Sequence, residues 1–200
     1  MNVQRPTGCD VACPRSGRTA PALEQDADFR APAAHTLVAG IGNLFLGDDG
    51  FGPEVIRRIL AEGPPPPESV RILDYGIRGA HLAFDIVHDI DVLILVDAVP
   101  TRPSDGALGE GPPGELVVLE IRPGDIEPVG FDAHAMSPAA VLGNVEGLGG
   151  TLPTTYLVGC RIDTVTEEIG LTPRVEAAVP AAMAAVRTLL DRVPQPSGMD

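Results

Sequence analysis

Two adjacent aspartates, Asp48 and Asp49, sit in a glycine-rich turn that reads Gly-Ile-Gly-Asn-Leu-Phe-Leu-Gly-Asp-Asp-Gly-Phe-Gly from Gly40 to Gly52. Two further acids, Asp74 and Asp97, each close an apolar run, and His134 precedes a helical pattern. Carboxylates brought together repel one another unless a shared proton or a cation compensates. With an imidazole beside them, they suit a divalent ion such as nickel or zinc, or acid–base work. Phosphate chemistry fits poorly. In a dinucleotide fingerprint Gly40 and Gly42 would take the first two glycine places, but Phe45 falls on the third. A Walker loop fails because Gly47 is followed by Asp48 and Asp49, not by lysine and a hydroxyl residue. Carboxylates would also repel a pyrophosphate where helix amides should attract it. A plainer role stays open for this turn: Asp48 or Asp49 caps the following helix.

The elements that must carry these residues follow from periodicity. Leu37 to Ile41 is an apolar run and predicts a buried strand. Pro53 suits a first helical position, and Val55, Ile56, Ile59 and Leu60 recur at helical spacing. Val70 to Leu73 predicts a second strand with Asp74 at its end. A helix follows from about Gly79 to His88, with Leu82, Phe84 and Ile86 as apolar contacts. Asp91 to Val99 predicts a third strand; its run of Val92 to Val96 is continuous, as when helices cover both sheet faces, and it ends in Asp97. Glu115 to Ile121 predicts a fourth strand, towards an edge, and Thr155 to Ile162 a fifth. Between them a helix contains Val141, Leu142 and Val145. The last helix, from Thr172 or Pro173 to Arg192, places Val175, Val179, Met183, Val186 and Leu190 on one face. This alternation predicts an α/β fold: a three-layer αβα sandwich around a mostly parallel five-stranded sheet, its order beginning 2-1-3. Ligands of such sheets bind beyond the carboxyl ends of the strands, where the chain switches direction. Asp49, Asp74 and Asp97 are expected to crowd that edge.

Two hundred residues allow one such domain, residues 35–193, with a proline-rich N-terminal extension over 1–34 and a short tail over 194–200. The formal charge of -14 argues against nucleic acid and anionic membranes as partners. No apolar run approaches a membrane span, the N-terminus lacks a secretory signal's apolar middle, and three cysteines do not suggest a disulfide framework. These features predict a cytoplasmic protein. Cys9 and Cys13 lie in the extension with no second pair to complete a zinc site. Cys160 reads as a small core residue, and His81 and His88 as surface histidines.

Taken together, the motifs resemble those of the hydrogenase maturation proteases, endopeptidases that trim the C-terminus of the nickel–iron hydrogenase large subunit. The resemblance is carried by Gly40-Ile41-Gly42-Asn43 through Asp48-Asp49-Gly50-Phe51-Gly52, then by Asp74-Tyr75-Gly76-Ile77-Arg78-Gly79 and Leu93-Ile94-Leu95-Val96-Asp97-Ala98. His134, Leu157-Val158-Gly159 and Ile169-Gly170-Leu171-Thr172-Pro173 complete it, so that it spans roughly Leu37 to Leu190. It implies that Asp49, Asp97 and His134 are both the metal-contacting and the catalytic residues, with Asp74 a further acid at the edge of the cleft. Some family members carry glutamate where Asp49 stands. The resemblance also implies a nickel ion supplied by the substrate, no organic cofactor, a large-subunit precursor as partner and a monomeric enzyme. A non-catalytic metal-binding or hydrogenase-docking module is the alternative that the same acids would allow.

Overall fold

The apolar run at Thr36–Ile41 forms β1, buried along its whole length. A computed structural model of the chain describes residues 36–88, 90–101, 110–125, 138–163 and 165–193. β1 pairs in parallel with β2 (Val70–Gly76) on one side and with β3 (Val92–Pro100) on the other. β3 continues in parallel to β5 (Thr154–Ile162). β4 (Leu116–Ile121) closes the far edge antiparallel to β5. The order is therefore 2-1-3-5-4, with the expected switch of direction between β1 and β3. The single antiparallel strand lies at the edge, as its half-alternating sequence predicts.

Four helices complete the outer layers. α1 (Phe51–Glu62) and α4 (Pro173–Arg192) pack on one face of the sheet, over Val38, Ile94, Val96 and Val158. α2 (Gly79–Val87) and α3 (Pro138–Gly147) cover the other face, over Leu37, Ala39, Leu93, Leu95 and Leu157. Successive β3 side chains thus enter different cores, which is why its apolar run is unbroken. Each such buried Leu, Ile or Val contributes about 1.5–3 kcal/mol relative to exposure. Phe84, expected to pack inward, is exposed. The inward stripe of α2 is Gly79, Leu82, Ala83 and Ile86, and Phe84 falls outside that phase. Likewise Leu189 is buried near the end of α4, whereas Leu190 packs only at the margin.

The start of α1 differs from the sequence expectation. Gly47–Gly50 is a 3-10 turn that runs directly into α1 at Phe51, ahead of Pro53. Pro53 still lies in the first turn, where its missing N–H costs nothing. Two glycines set how closely this helix sits. A Cβ on Gly52 would clash with the carbonyl oxygens of Ile41, at the end of β1, and of Val96, in the middle of β3. A Cβ on Gly40 would meet the Ile56 side chain and the Gly52 carbonyl. The helix start is thereby pressed onto the switch point of the sheet. The expected extension and tail lie outside the described residues.

Gly52→Ala is expected to cost at least about 2 kcal/mol of unfolding free energy, because backbone atoms of two strands must give way. Urea denaturation measures this; an unchanged midpoint would show that α1 does not need so close a seat.

Candidate active site at the switch point

Beyond β1 the backbone turns at Gly42, whose φ of 131° is natural only for glycine; a Cβ there would strike the Asp49 carbonyl. The Gly42 N–H donates to the Gly76 carbonyl at 3.1 Å, which ties the turn to the end of β2. Asn43 then organises the loop. Its N–H donates to Asp49 Oδ2 at 2.8 Å, and its Oδ1 accepts the Phe45 N–H at 3.0 Å. The Leu46 N–H returns to the Asn43 carbonyl at 3.0 Å. Asp49 is thus held half-buried by a backbone donor from its own loop. Partial burial lifts its carboxyl above the ordinary range, and the Asn43 N–H offsets part of that rise.

Asp97 lies one residue past the last β1–β3 pair, Gly40 with Val96, where β3 packs against the 3-10 turn. Its side chain is 5% exposed. By strand alternation it shares a face with Leu93, Leu95 and Val99, on the α2–α3 side. Burial pushes its carboxyl well above the usual carboxylate range. The Ala98 N–H opposes this, and the nearby charge of Asp49 adds to it. The two acids are therefore electrostatic neighbours: ionising one makes ionising the other harder. Such a pair can share a proton or grip a cation.

The remaining acids are placed elsewhere. Asp48 is 7% exposed and caps neither α1 nor the site. Its two oxygens accept the Thr172 N–H at 2.7 Å and the Thr172 hydroxyl at 3.0 Å. Thr172 is the residue before α4, so Asp48 fastens the 3-10 turn to the start of that helix. Asp74 lies inside β2 rather than beyond it. It is exposed, and its Oδ1 accepts the Gly76 N–H at 2.8 Å. The expected crowding of three acids is not realised: among the described residues no three His, Cys, Asp or Glu side chains are grouped to hold a metal. His134 lies outside the described residues. His81 and His88 are exposed, as expected. Cys160 is fully buried among core residues, with its thiol pushed up to about 12 by burial. Asn43 and Thr172 are the residues that sequence reasoning missed. Asn43 was visible only as part of a glycine-rich turn, and Thr172 only as a helix start.

Comparison with known proteins gives the arrangement a context. The sequence model of a family described as hydrogenase maturation protease matches residues 53–188. The chain is similar to the coenzyme F420 hydrogenase subunit delta of Methanothermobacter thermautotrophicus, at 30% identity over 171 residues, covering 80% of this chain and 95% of that one. It is similar to the hydrogenase 2 maturation protease of Escherichia coli, at 30% identity over 159 residues, covering 77% and 89% of the two chains. Among solved structures, the hydrogenase maturating endopeptidase HybD of E. coli superposes with a TM-score of 0.62. It is 29% identical, over 78% of this chain and 92% of that one.

Asp97 and Asp48 should change stability in opposite directions. Burial raises the folded-state pKa of Asp97 above its unfolded value, so stability is lost as pH rises from about 4 through the folded pKa. Asp97→Asn removes that loss. In thermal melts with chelator present, its midpoint should exceed the parent's at neutral pH and converge with it near pH 3. Asp48→Ala leaves the Thr172 donors unpaired and should cost about 1–3 kcal/mol at neutral pH. A lower midpoint for Asp97→Asn at pH 7 would show that a partner stabilises the ionised Asp97.

Proposed function

This chain belongs to the hydrogenase maturation protease family, and we propose that it removes the C-terminal extension from a nickel–iron hydrogenase large-subunit precursor after nickel insertion. The chain is an endopeptidase of that family, so the chemistry to account for is hydrolysis of one peptide bond in a protein substrate. The observation that carries the reading is the neighbouring pair of acids, Asp49 in the turn beyond β1 and Asp97 buried within β3 just past its last pairing with β1.

Nickel arrives with the substrate. Asp49, Asp97 and His134 engage it and so recognise a loaded precursor. The donor chemistry supports this: burial withholds charge from both carboxyls, and a cation restores it. Two carboxylates with one imidazole also suit a divalent ion such as nickel. In the sequence His134 stands shortly before Pro138, the first residue of α3, and α3 packs on the sheet face that carries Asp97.

Asp49 is the more accessible acid and serves as general base. Its carboxylate takes a proton from water as the water oxygen attacks the scissile carbonyl carbon. That proton passes to the departing amide nitrogen, leaving a new carboxylate on the large subunit and a new amine on the released peptide. Nickel, when present in the substrate, adds polarisation of the carbonyl. Asp97 fixes the ion's position from within the sheet. In this sense the enzyme is of the aspartic type, acts with no organic cofactor, and works as a monomer in the cytoplasm. Among the described residues no helix is long and apolar enough to cross a membrane.

Asp49→Asn should lower the trimming rate of nickel-loaded precursor by at least about 100-fold while leaving the fold intact. His134→Ala should weaken binding to loaded precursor more than to nickel-free precursor. Intact-mass spectrometry and a binding titration read these effects. Full trimming by Asp49→Asn, or unchanged nickel dependence in His134→Ala, would remove the residue concerned from the site.

A further inference from the structure

We infer that the Leu44–Phe45 turn and the Val165–Leu171 loop form a docking surface for the substrate's own polypeptide, with a large apolar side chain near the cut seated in the cleft beside them. The inference rests on the protease reading above and extends it to how the peptide is held.

Large apolar side chains stand in solvent here without a core to explain them. Phe45 is 70% exposed, Leu44 48% and Ile169 82%. They belong to two loops that are fastened together: the Gly47 N–H donates to the Glu168 carbonyl at 2.7 Å, and Gly47 lies so close to Thr166 that a Cβ would press on its hydroxyl. Beside the loops is a cleft of about 200 Å³, walled by Leu44 and Leu171, by glycines of both loops, and by the charged Glu54 and Arg58 of α1 and Glu176 of α4. That is smaller than the roughly 300–1,000 Å³ of a small-molecule pocket. It is larger than the roughly 150 Å³ apolar cavity that accepts benzene. One large side chain is therefore the fitting occupant.

The cleft's charged wall residues are paired with one another. Arg58 pairs with Glu54 at 2.8 Å and with Glu176, and Arg57 takes Glu54 at 2.6 Å. The charged groups of the cleft thus satisfy one another, while Leu44 and Leu171 offer it an apolar wall. A second copy of the chain is disfavoured, because each carries a formal charge of -14 and would lie across Asp49. A substrate segment with neutral or basic flanks meets no such repulsion.

Position ties the surface to the reaction. The Asn43 that holds Asp49 through its N–H also holds the Phe45 N–H through its side chain. Phe45 is two Cα steps of about 3.8 Å from Asn43, so it lies within reach of the residue that holds Asp49. Gly47 and Gly50, which wall the cleft, bracket the two aspartates.

The test is steady-state cleavage of a nickel-loaded large-subunit precursor by the full chain and by Phe45→Ala, Ile169→Ala and the double variant. Phe45→Ala should raise KM at least about tenfold with kcat within about twofold, and the double variant should raise KM further. Melting should not move, since both side chains lie in solvent. Phe84→Ala, exposed on α2 away from this surface, should change neither constant. Unchanged KM in all three variants beside an active wild type would overturn the docking surface and leave the protease reading standing. A fall in kcat at unchanged KM would also overturn it. Absence of both binding and cleavage by the wild type would overturn the protease reading and the docking surface together.

Discussion

The close seat of α1 on the end of β1 and the middle of β3 is the constraint from which the rest of the site follows. Gly52 lies against the carbonyls of Ile41 and Val96, and Gly40 accepts Ile56 where a side chain would have stood. Because α1 cannot move outward, the 3-10 turn before it is confined to the switch point of the sheet. Asp49 is then delivered from the β1 side and Asp97 from β3, close enough for each charge to be felt by the other. The surrounding hydrogen bonds secure this arrangement from three directions. Gly42 reaches β2, Gly47 reaches the loop before α4, and Asp48 reaches Thr172 at the start of α4. Loss of one tie leaves the others, but loss of the seat displaces the acids.

A buried carboxyl beside another carboxyl is a poor choice for stability. Asp97 occupies a strand position whose neighbours on the same face, Leu95 and Val99, are core residues. An apolar residue there would be cheaper, since a buried acid costs free energy in its charged form. The cost makes sense where something arrives to neutralise the pair. A nickel ion carried by the substrate would do so, and an unloaded precursor would not. Recognition of the loaded substrate and assembly of a competent site would then be one event. By the same reasoning the exposed Phe45 and Ile169 would serve a site that has to hold a polypeptide and not a small metabolite.

Much of the fold was legible in the sequence because its signals were local. The continuous run of Val92 to Val96 announced a strand covered on both faces, and the glycine-rich turn announced a strand-to-helix connection. The order begins 2-1-3 as expected, whereas its 5-4 ending was not read from the sequence. The site was legible in part. Asp49 could be read because it follows β1 in the turn at the switch point; Asp97, expected to close the third strand, lies inside β3, which runs on to Pro100. Asp48 could not be assigned, since its partner Thr172 is remote in sequence and only folding reveals the bond. Asp74 shows the limit of the strand-end argument. β2 runs on through Gly76 as β3 runs on through Pro100, but Asp74 is exposed on an edge strand whereas Asp97 is buried in the middle of the sheet. Phe84 fails for a similar reason: helical phase, not hydrophobicity, decides which face is buried.

The central claim is that a carboxylate pair cuts a protein substrate only once that substrate carries nickel. Its most direct test is intact-mass spectrometry of a hydrogenase large-subunit precursor incubated with this chain, with nickel-loaded and nickel-free precursor run side by side. Loss of a single C-terminal peptide from the loaded form alone is the predicted result. Equal trimming of both forms would contradict nickel recognition by Asp49, Asp97 and His134, and binding of loaded precursor without any cut would contradict the assignment of Asp49 as the base.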